Sequence, residues 1–359
     1  MDDPMEYLPN IFDFDYSNYS NVTGMPPGTE ESSPSPIALG AVVLYALVFL
    51  VGTLGNGAVI GVVGFQMQST VSSVWFLNLS VADLLCCLSL PVLAVSVASD
   101  HRWVLGDFAC KVLPSIIILN MFASILLLAL ISMDRCALVV KPVWCQNHRS
   151  TRLAWKLSGT AWVFATLLTL PSFVTRRTHH YELHQLTVCV VDYGLFGVNQ
   201  KTAEVSVAVM RFLFGFLVPS VALSLFYGLL VLRVHNSRFM RSKRTLKMVL
   251  VIVVAFFACW APYHAVGLIL AIETQGSPLF RFLNELDPLI VALASTNSCI
   301  NPVIYVIAGQ DFKAKVWRSL SAVLRNALNE EPSTAASQAK GAAQGPCTVA
   351  EDQSTTTTL

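Results

Sequence analysis

Seven long apolar stretches constrain the fold of this 359-residue chain more than any other feature of its sequence. A helix needs about 20 residues to cross roughly 30 Å of hydrocarbon, and each stretch is long enough to do so. The stretches cover residues 37–65, 71–97, 107–140, 153–174, 204–235, 242–272 and 282–308. Because the connections between them are short, the pattern predicts an all-α membrane protein with one seven-transmembrane helix bundle at residues 37–308.

The composition fits a surface that faces lipid and argues against several classes of protein. Hydrophobic residues make up 54% of the chain and charged residues 13%, about half of the charged fraction in soluble domains. The net charge of +1 argues against nucleic acid as a partner. We find no nucleophile–base pair or metal-ligand cluster in the sequence, so we predict that the chain is not an enzyme. The two halves share no repeat, which disfavours a transporter.

The distribution of basic residues orients the bundle in the membrane. With the N-terminus outside, the inner segments 66–70, 141–152, 233–247 and 309–325 hold thirteen lysines and arginines, and the outer segments hold five. Positive charge concentrates on the cytoplasmic side of membrane proteins. We therefore predict a multi-pass plasma-membrane protein with an extracellular N-terminus.

Residues 1–36 form an acidic segment without lysine or arginine, for which we predict disorder. This segment is either a solvated tail or a docking strip for a cationic protein, which tyrosine sulfation would strengthen. Its tyrosines are Tyr7, Tyr16 and Tyr19. Two sequons predict glycosylation at Asn18 and Asn21. A third sequon, at Asn78, lies inside a predicted helix, and we attribute it to chance.

The C-terminal region divides into two parts. Residues 309–325 predict a short amphipathic eighth helix on the inner membrane surface, because Phe312, Val316 and Leu320 repeat on one face and lysines and arginine lie on another. Residues 326–359 predict a disordered cytoplasmic tail rich in serine and threonine. The candidate phosphorylation sites in it are Ser354, Thr355, Thr356, Thr357 and Thr358.

Polar residues inside predicted membrane helices are candidates for function, since they are costly there without a partner or a wet cavity. Asp83 lies midway along the second span, at a depth similar to that of several amide and hydroxyl side chains. These oxygens could hold a small monovalent cation such as sodium, or they could form a water-filled hydrogen-bond network. The residues proposed for sodium are Asp83, Asn120, Ser124 and Asn301.

Two opposite charges lie near the outer mouth of the predicted bundle. Arg211 is about two turns into the fifth span and Asp287 is one to two turns into the seventh. They could form a salt bridge with each other, or they could receive the carboxylate and the cation of a ligand. The remaining candidate ligand-binding residues are Arg176, Glu204 and Tyr263.

Two further features concern the ends of the third span. Asp134 and Arg135 lie at its inner end, where a positive group suits a cytosolic partner that inserts between helices. Cys110, at its outer end, and Cys189, in the outer loop 175–203, are the two cysteines on the outside. Because that side of the membrane is oxidising, we predict a disulfide between them.

Taken together, these motifs resemble those of the rhodopsin-like (class A) G-protein-coupled receptors over residues 37–325. The matching residues are Gly55-Asn56, Leu79-Ser80-Val81-Ala82-Asp83, Cys110, Asp134-Arg135-Cys136, Trp162, Pro219, Cys259-Trp260-Ala261-Pro262 and Asn301-Pro302-Val303-Ile304-Tyr305. Each motif alone is weak, but all of them occur in order, one set on each predicted helix. The resemblance implies a receptor with no cofactor other than a sodium ion at the site of Asp83.

The resemblance also implies roles for individual residues. Ile125, Pro219 and Phe256 would form a connector that repacks when ligand binds, below which Tyr227 and Tyr305 would stabilise the open inner face. Trp260 would lie beneath the ligand, and Arg135 would contact the G protein. Cys136 stands where many relatives have Tyr or Phe, but Arg135 is retained, so coupling is still expected.

Within class A the chain is similar to the chemoattractant receptors, particularly the complement anaphylatoxin receptors. This similarity rests on Trp75-Phe76-Leu77-Asn78-Leu79, Lys141-Pro142-Val143-Trp144-Cys145-Gln146-Asn147, Asn147-His148-Arg149, Leu113-Pro114-Ser115 and Arg211-Phe212-Leu213-Phe214-Gly215-Phe216. It implies a cationic anaphylatoxin, complement 5a before others, whose C-terminal arginine would meet Arg211 with its carboxylate and Asp287 with its guanidinium. The expected partners are an inhibitory-class heterotrimeric G protein, arrestin, receptor kinases and membrane lipids.

Other interpretations remain open at this point. Complement 3a, a formyl peptide or chemerin could be the ligand, because receptors of the formyl-peptide and chemerin types also have an arginine in the fifth helix. A decoy receptor that does not couple to G protein is a further alternative. An amine receptor is disfavoured because Ile117 stands where an aspartate is expected, and a retinal protein because residues 282–308 contain no lysine.

Overall fold

Helices form most of the computed structural model, which describes residues 35–65, 68–182, 185–197, 199–235 and 243–308. In chain order these helices are α1 (Pro36–Phe65), α2 (Val71–Ala98), α3 (Gly106–Val140), α4 (Pro142–His148), α5 (Thr151–Thr175), α6 (Gln200–Phe212), α7 (Val218–His235), α8 (Lys243–Ile272), α9 (Pro278–Ser295) and α10 (Asn297–Ala308). Among the described residues, six helical segments are long and apolar enough to cross a membrane. They correspond to the first six predicted spans.

The seventh predicted span is formed by α9 and α10, which are separated at Thr296. The hydroxyl of Thr296 donates a hydrogen bond of 2.6 Å to the carbonyl of Leu293, and α10 begins at the next residue. The break lies deep in the bundle, since Asn297 and Ser298 are both at most 1% exposed. The predicted seven-helix bundle is thus confirmed, with an interruption that the sequence pattern did not indicate.

Helix α1 illustrates why these sequences form membrane helices. Several of its leucines face outward, whereas its buried positions include small and polar residues beside one tyrosine and three valines. The outward residues, each more than half exposed, include Leu39, Leu47, Leu50 and Leu54, and the buried ones include Ala41, Gly52 and Asn56. A soluble helix shows the opposite arrangement, so this face is built for a lipid solvent.

A β-hairpin follows α5 and was not predicted from the sequence. Strand β1 (Arg176–Tyr181) pairs antiparallel with β2 (Leu186–Val191), with Thr178 opposite Cys189. Cys189 is bonded to Cys110 at the start of α3, with 5.5 Å between the two Cα atoms, so the predicted disulfide is confirmed. The end of the bundle that carries this hairpin is called the outer end here, following the predicted orientation, and the opposite end is called the inner end.

The fifth span contains a π-helical turn at Leu213–Leu217, between α6 and α7. The backbone N–H of Val218 donates to the carbonyl of Leu213, five residues earlier, and Pro219 has no N–H to continue the ordinary ladder. Gly215 lies within this turn, and a Cβ on it would be 2.9 Å from Met121 Cε. The turn therefore brings the backbone of the fifth span close to α3, which only glycine allows without movement of the neighbour.

Candidate ligand-binding and signalling sites

Arg211 and Tyr263 form one contact in the outer half of the bundle. The Nη1 of Arg211, in the last turn of α6, donates a hydrogen bond of 2.6 Å to the hydroxyl of Tyr263 on α8. The Cζ of Arg211 lies 5.8 Å from the centre of the same ring. Tyr263 meets Trp260 edge-on, with 5.4 Å between the ring centres. The guanidinium of Arg211 is thus held beside the aromatic ring of Tyr263, where it could bind a carboxylate.

Glu204 and Arg176 are buried at the outer end, with 4% and 6% of their surfaces exposed. The Nζ of Lys201 lies 3.5 Å from a carboxylate oxygen of Glu204 and donates a hydrogen bond of 2.9 Å to the carbonyl of Glu273 at the end of α8. The Nε of Arg176 lies 3.5 Å from the hydroxyl of Ser172. The side chains of Glu204 and Arg176 therefore lie inside the protein rather than in solvent, as expected for residues that shape a polar site.

Asp287 lies on the buried face of α9, and only 8% of its surface is exposed. The next residue, Pro288, accepts a hydrogen bond of 3.1 Å from the hydroxyl of Tyr45, which fastens α9 to α1. Asn284, one helical turn before Asp287, is 6% exposed. It was not a candidate in the sequence, because a single asparagine in an outer helical turn has no distinguishing pattern.

The disulfide-linked loop is fixed over the outer end by several contacts. Arg102, between α2 and α3, forms a β-bridge with Val188, and the backbone N–H of Trp103 donates to the carbonyl of Thr187 at 2.8 Å. The carboxylate of Asp107 accepts a hydrogen bond of 2.9 Å from the backbone N–H of Thr178. The hairpin is therefore attached to α3 at more points than the disulfide alone.

The four residues predicted for a sodium ion come together in the middle of the bundle. The amide of Asn301 donates to Asp83 Oδ2 at 2.7 Å, and the hydroxyl of Ser124 donates to Asn120 Oδ1 at 3.2 Å. All four are at most 1% exposed. Ser298 joins them as the acceptor of a hydrogen bond of 3.0 Å from Asn120. Ser298 was not predicted from the sequence, since serine is common in apolar helices and marks no site by itself.

The inner end of α3 carries a second group of charges. Arg149, at the end of α4, donates two hydrogen bonds to Asp134, with 2.7 Å from Nε to Oδ1 and 3.1 Å from Nη2 to Oδ2. Arg135 Nη2 lies 3.3 Å from Asp134 Oδ2 and donates to the hydroxyl of Ser72 at 2.5 Å. Asp134 is therefore shared between two arginines. A partner for Asp134 could not be predicted from the sequence, because Arg149 is 15 residues away and no helical periodicity connects them.

The connector residues pack beneath the Arg211–Tyr263 contact. Ile125, Phe256 and Trp260 are fully buried in one apolar cluster, and Pro219 is also buried. The rings of Phe256 and Trp260 are 6.1 Å apart. Tyr227 packs against the same cluster. Ring contacts thus run from the ligand-binding candidates to the connector.

The asparagine of the third sequon has a role inside the bundle. Asn78 is 8% exposed, its amide donates to the carbonyl of Val74 at 2.8 Å, and its Oδ1 accepts a hydrogen bond of 3.0 Å from Trp162 Nε1. The side chain is committed to contacts between α2 and α5. The interpretation that this sequon is a chance match is confirmed.

Several predicted residues lie outside the described part of the chain. These are Tyr7, Tyr16 and Tyr19, Asn18 and Asn21, the helix at 309–325, and Ser354, Thr355, Thr356, Thr357 and Thr358. The backbone of Tyr305 belongs to α10, but its side chain is outside the description. Asn301 and Pro302 are both buried. The roles assigned to the outlying residues stay predictions.

Comparison with known proteins matches residues 55–305 to the family described as "7 transmembrane receptor (rhodopsin family)". The C5a anaphylatoxin chemotactic receptor 1 of Oryctolagus cuniculus is 47% identical over 322 residues, which cover 89% of this chain and 91% of that receptor. The receptor of the same name from Homo sapiens is 46% identical over 291 residues, which cover 81% and 82%. The receptor from Rattus norvegicus is 43% identical over 332 residues, which cover 92% and 93%.

Proposed function

Because this chain belongs to the rhodopsin family of seven-transmembrane receptors, and within it to the C5a anaphylatoxin chemotactic receptors, we propose that it is a chemotactic receptor for complement 5a. As a G-protein-coupled receptor it is a multi-pass protein of the plasma membrane, not an enzyme. In the proposal its N-terminus is extracellular, and the described residues that support a ligand of this kind are Arg211 and Asp287. The observation that carries the proposal is the guanidinium of Arg211, held on Tyr263 in the outer half of the bundle.

Arg211 would bind the carboxylate of the ligand's C-terminal arginine, and Asp287 would bind its guanidinium. A carboxylate accepts paired hydrogen bonds from a guanidinium such as that of Arg211, and a guanidinium donates them to a carboxylate such as that of Asp287. Asp287 is buried and Arg211 is partly buried, so water competes less for these contacts than it would at an exposed surface. The acidic segment 1–36, with Tyr7, Tyr16 and Tyr19 as sulfation sites, would attract the cationic body of the ligand before its terminus enters.

Ligand binding would then be transmitted through packed rings. A change at Tyr263 reaches Trp260 through their edge-on contact, and Trp260 lies above Phe256. Phe256 shares its apolar cluster with Ile125, opposite the π-helical turn and Pro219. Since a close-packed core changes between discrete arrangements rather than by continuous deformation, this cluster is suited to switch the inner end between two states.

At the inner end, Arg135 would be the contact for an inhibitory-class G protein. In the described arrangement Arg135 is held by Ser72 and Asp134, so a partner that inserts there must draw it away. Receptor kinases would then phosphorylate Ser354, Thr355, Thr356, Thr357 and Thr358. Each phosphate adds about −1.5 to −2 charge, which would make residues 354–358 a docking strip for arrestin.

A sodium ion would be held by Asp83, Asn120, Ser124 and Asn301. The residues fit such an ion, because Asp83 Oδ1 and Asn301 Oδ1 are buried and have no hydrogen-bond partner among the described residues. One carboxylate with neutral oxygens suits a monovalent cation, which would neutralise Asp83. A water network remains the alternative. If sodium binds, agonist affinity will differ between sodium chloride and choline chloride of equal ionic strength, and Asp83→Asn will abolish the difference.

Inhibition of cyclic AMP in cells that express the chain tests the proposed ligand and G protein together. The cells are challenged in parallel with purified complement 5a, complement 3a, formyl peptide and chemerin. A response to complement 5a alone, reduced when its terminal arginine is removed, supports the proposal. A response to one of the other ligands would mean that the chain is a chemoattractant receptor with a different ligand. Arrestin recruitment by complement 5a without a cyclic AMP response would mean a decoy receptor.

A further inference from the structure

The outer part of α9 contains a buried amide whose oxygen has no hydrogen-bond partner among the described residues. Asn284 is 6% exposed, and its Oδ1 is the atom without a partner. A buried acceptor left in this state lowers stability by the full cost of its desolvation. Buried polar groups almost always have partners in native proteins, so such an atom indicates a ligand or water that supplies the missing donor.

Asn284 shares a helix face with Asp287. The two residues are three positions apart in α9, which places their Cβ atoms about 5 to 6 Å from each other. Both lie on the buried stripe that continues through Pro288 and Val291, whereas Glu285, between them, is exposed. A carboxylate and a neutral amide oxygen are thus presented side by side near the outer end.

This pair of acceptors favours one kind of cation over another. A guanidinium is planar and directs five N–H groups outward, so it can donate at once to two acceptors on neighbouring positions of one helix face. An ammonium also has three donors, but all of them leave one strongly hydrated nitrogen without a fixed direction, so it gains most from the charged carboxylate. A neutral oxygen beside a carboxylate therefore adds less to the binding of lysine than to that of arginine, whose rigid N–H groups can donate to both acceptors.

We propose that Asn284 is a specificity-determining residue that, together with Asp287, selects a guanidinium over an ammonium in the ligand's terminal residue. The inference rests on the proposed function, because it takes the ligand to present a cationic terminus to α9. Asp287 would attract the positive charge of the ligand's terminal residue, and the amide oxygen of Asn284 would accept a hydrogen bond from one of its N–H groups. The two contributions are separable, since one depends on the ligand's charge and the other on its N–H groups.

The test uses three forms of complement 5a, which end in arginine, lysine or citrulline. Citrulline keeps N–H donors but has no charge. We expect Asn284→Leu to lower the potency of the arginine and citrulline forms by about tenfold and to change that of the lysine form little. Asp287→Asn will lower the potency of the arginine and lysine forms and leave the citrulline form nearly unchanged. Glu285→Gln, on the exposed face, is the matched control and will leave the relative potencies of the three forms unchanged.

The arginine-to-lysine potency ratio is measured within each variant, so it does not depend on surface expression. Asn284→Ser provides a smaller substitution if the leucine variant does not reach the surface. An unchanged ratio in both Asn284 variants, with a wild-type chain that responds to complement 5a, overturns this inference alone. A wild-type chain that responds to none of the three forms overturns the proposed ligand and this inference with it.

Discussion

Arg149 holds Asp134 through two parallel hydrogen bonds of 2.7 and 3.1 Å, which join the end of α4 to the inner end of α3. The side chain of Asp134 is 9% exposed and that of Arg149 is 25% exposed. The pair is therefore shielded from water on one side and open on the other. A charge-assisted, bidentate contact of this kind is stronger than an ordinary surface ion pair.

Removal of this contact should lower thermal stability. We expect Arg149→Ala to reduce the free energy of unfolding by about 1 to 2 kcal/mol, because it leaves the Asp134 carboxylate with Arg135 alone. The variant and Asp134→Asn are combined in a double-mutant cycle, and the thermal midpoints of the purified proteins are compared. Arg152→Ala, on the exposed side of the first turn of α5, is the control and should have no coupling with Asp134. A coupling energy near zero for Arg149 would contradict the prediction.

Arg211→Ala should lower the potency of complement 5a by tenfold or more, which corresponds to the loss of a charged hydrogen bond of about 1.5 to 3 kcal/mol. Asp287→Ala should have an effect of similar size at the other end of the terminal arginine. Tyr263→Phe keeps the ring next to the guanidinium but removes the acceptor of its 2.6 Å hydrogen bond. Its loss should be smaller, about twofold to tenfold. Dose–response curves for cyclic AMP inhibition measure all three, and full potency in both alanine variants would refute the assigned pocket.

The bounds of the membrane helices could be predicted from the sequence because a span leaves a long apolar run, whatever its neighbours are. The disulfide could be predicted as well, since Cys110 and Cys189 are the two cysteines on the side that the distribution of lysine and arginine predicts to be extracellular. The positions of Arg211 and Tyr263 relative to each other could not. Their contact depends on the π-helical turn after α6 and on the packing of α6 against α8, which no local pattern records.

The contacts that sequence reasoning missed are long-range ones. Strand β1 consists mostly of charged, polar and histidine residues, and it forms because β2 is bonded to α3 through Cys189 and paired with Arg102. Arg149 reaches Asp134 because α4 turns the chain back after Lys141. In each case the tertiary context, rather than intrinsic propensity, decides the structure.

Gly55→Ala should destabilise the bundle, because a Cβ at this position would lie 2.8 Å from Cβ of Pro302. The proline ring is rigid and buried in α10, so α1 must move away from it. Overpacking of this kind costs about 1 to 3 kcal/mol. Gly57→Ala in the same helix is the matched control, since a Cβ there meets nothing within 4 Å, and it should leave stability unchanged or raise it. Equal thermal midpoints for the two variants would show that α1 and α10 are not in close contact.

Acidification should destabilise the outer loop through His101, which lies between α2 and α3. Burial lowers the pKa of its imidazole from 6.5 to about 4, against a smaller opposite effect of Asp100. The unfolded chain therefore takes up a proton near pH 6.5 while the folded chain does not. The stability that depends on a neutral His101 is fully present above pH 6.5 and is lost progressively between pH 6.5 and 4. By pH 5 the loss amounts to about 2 kcal/mol.

The variant that isolates this effect is His101→Asn. His101 has a backbone φ of 61°, a left-handed conformation that asparagine tolerates better than most residues. The thermal midpoint of the purified wild-type protein should fall more steeply than that of the variant as the pH is lowered from 7.5 to 5. Groups common to both proteins cancel in this comparison. Parallel pH profiles would mean that the imidazole is protonated in the folded chain as readily as in the unfolded one, and that burial does not keep it neutral.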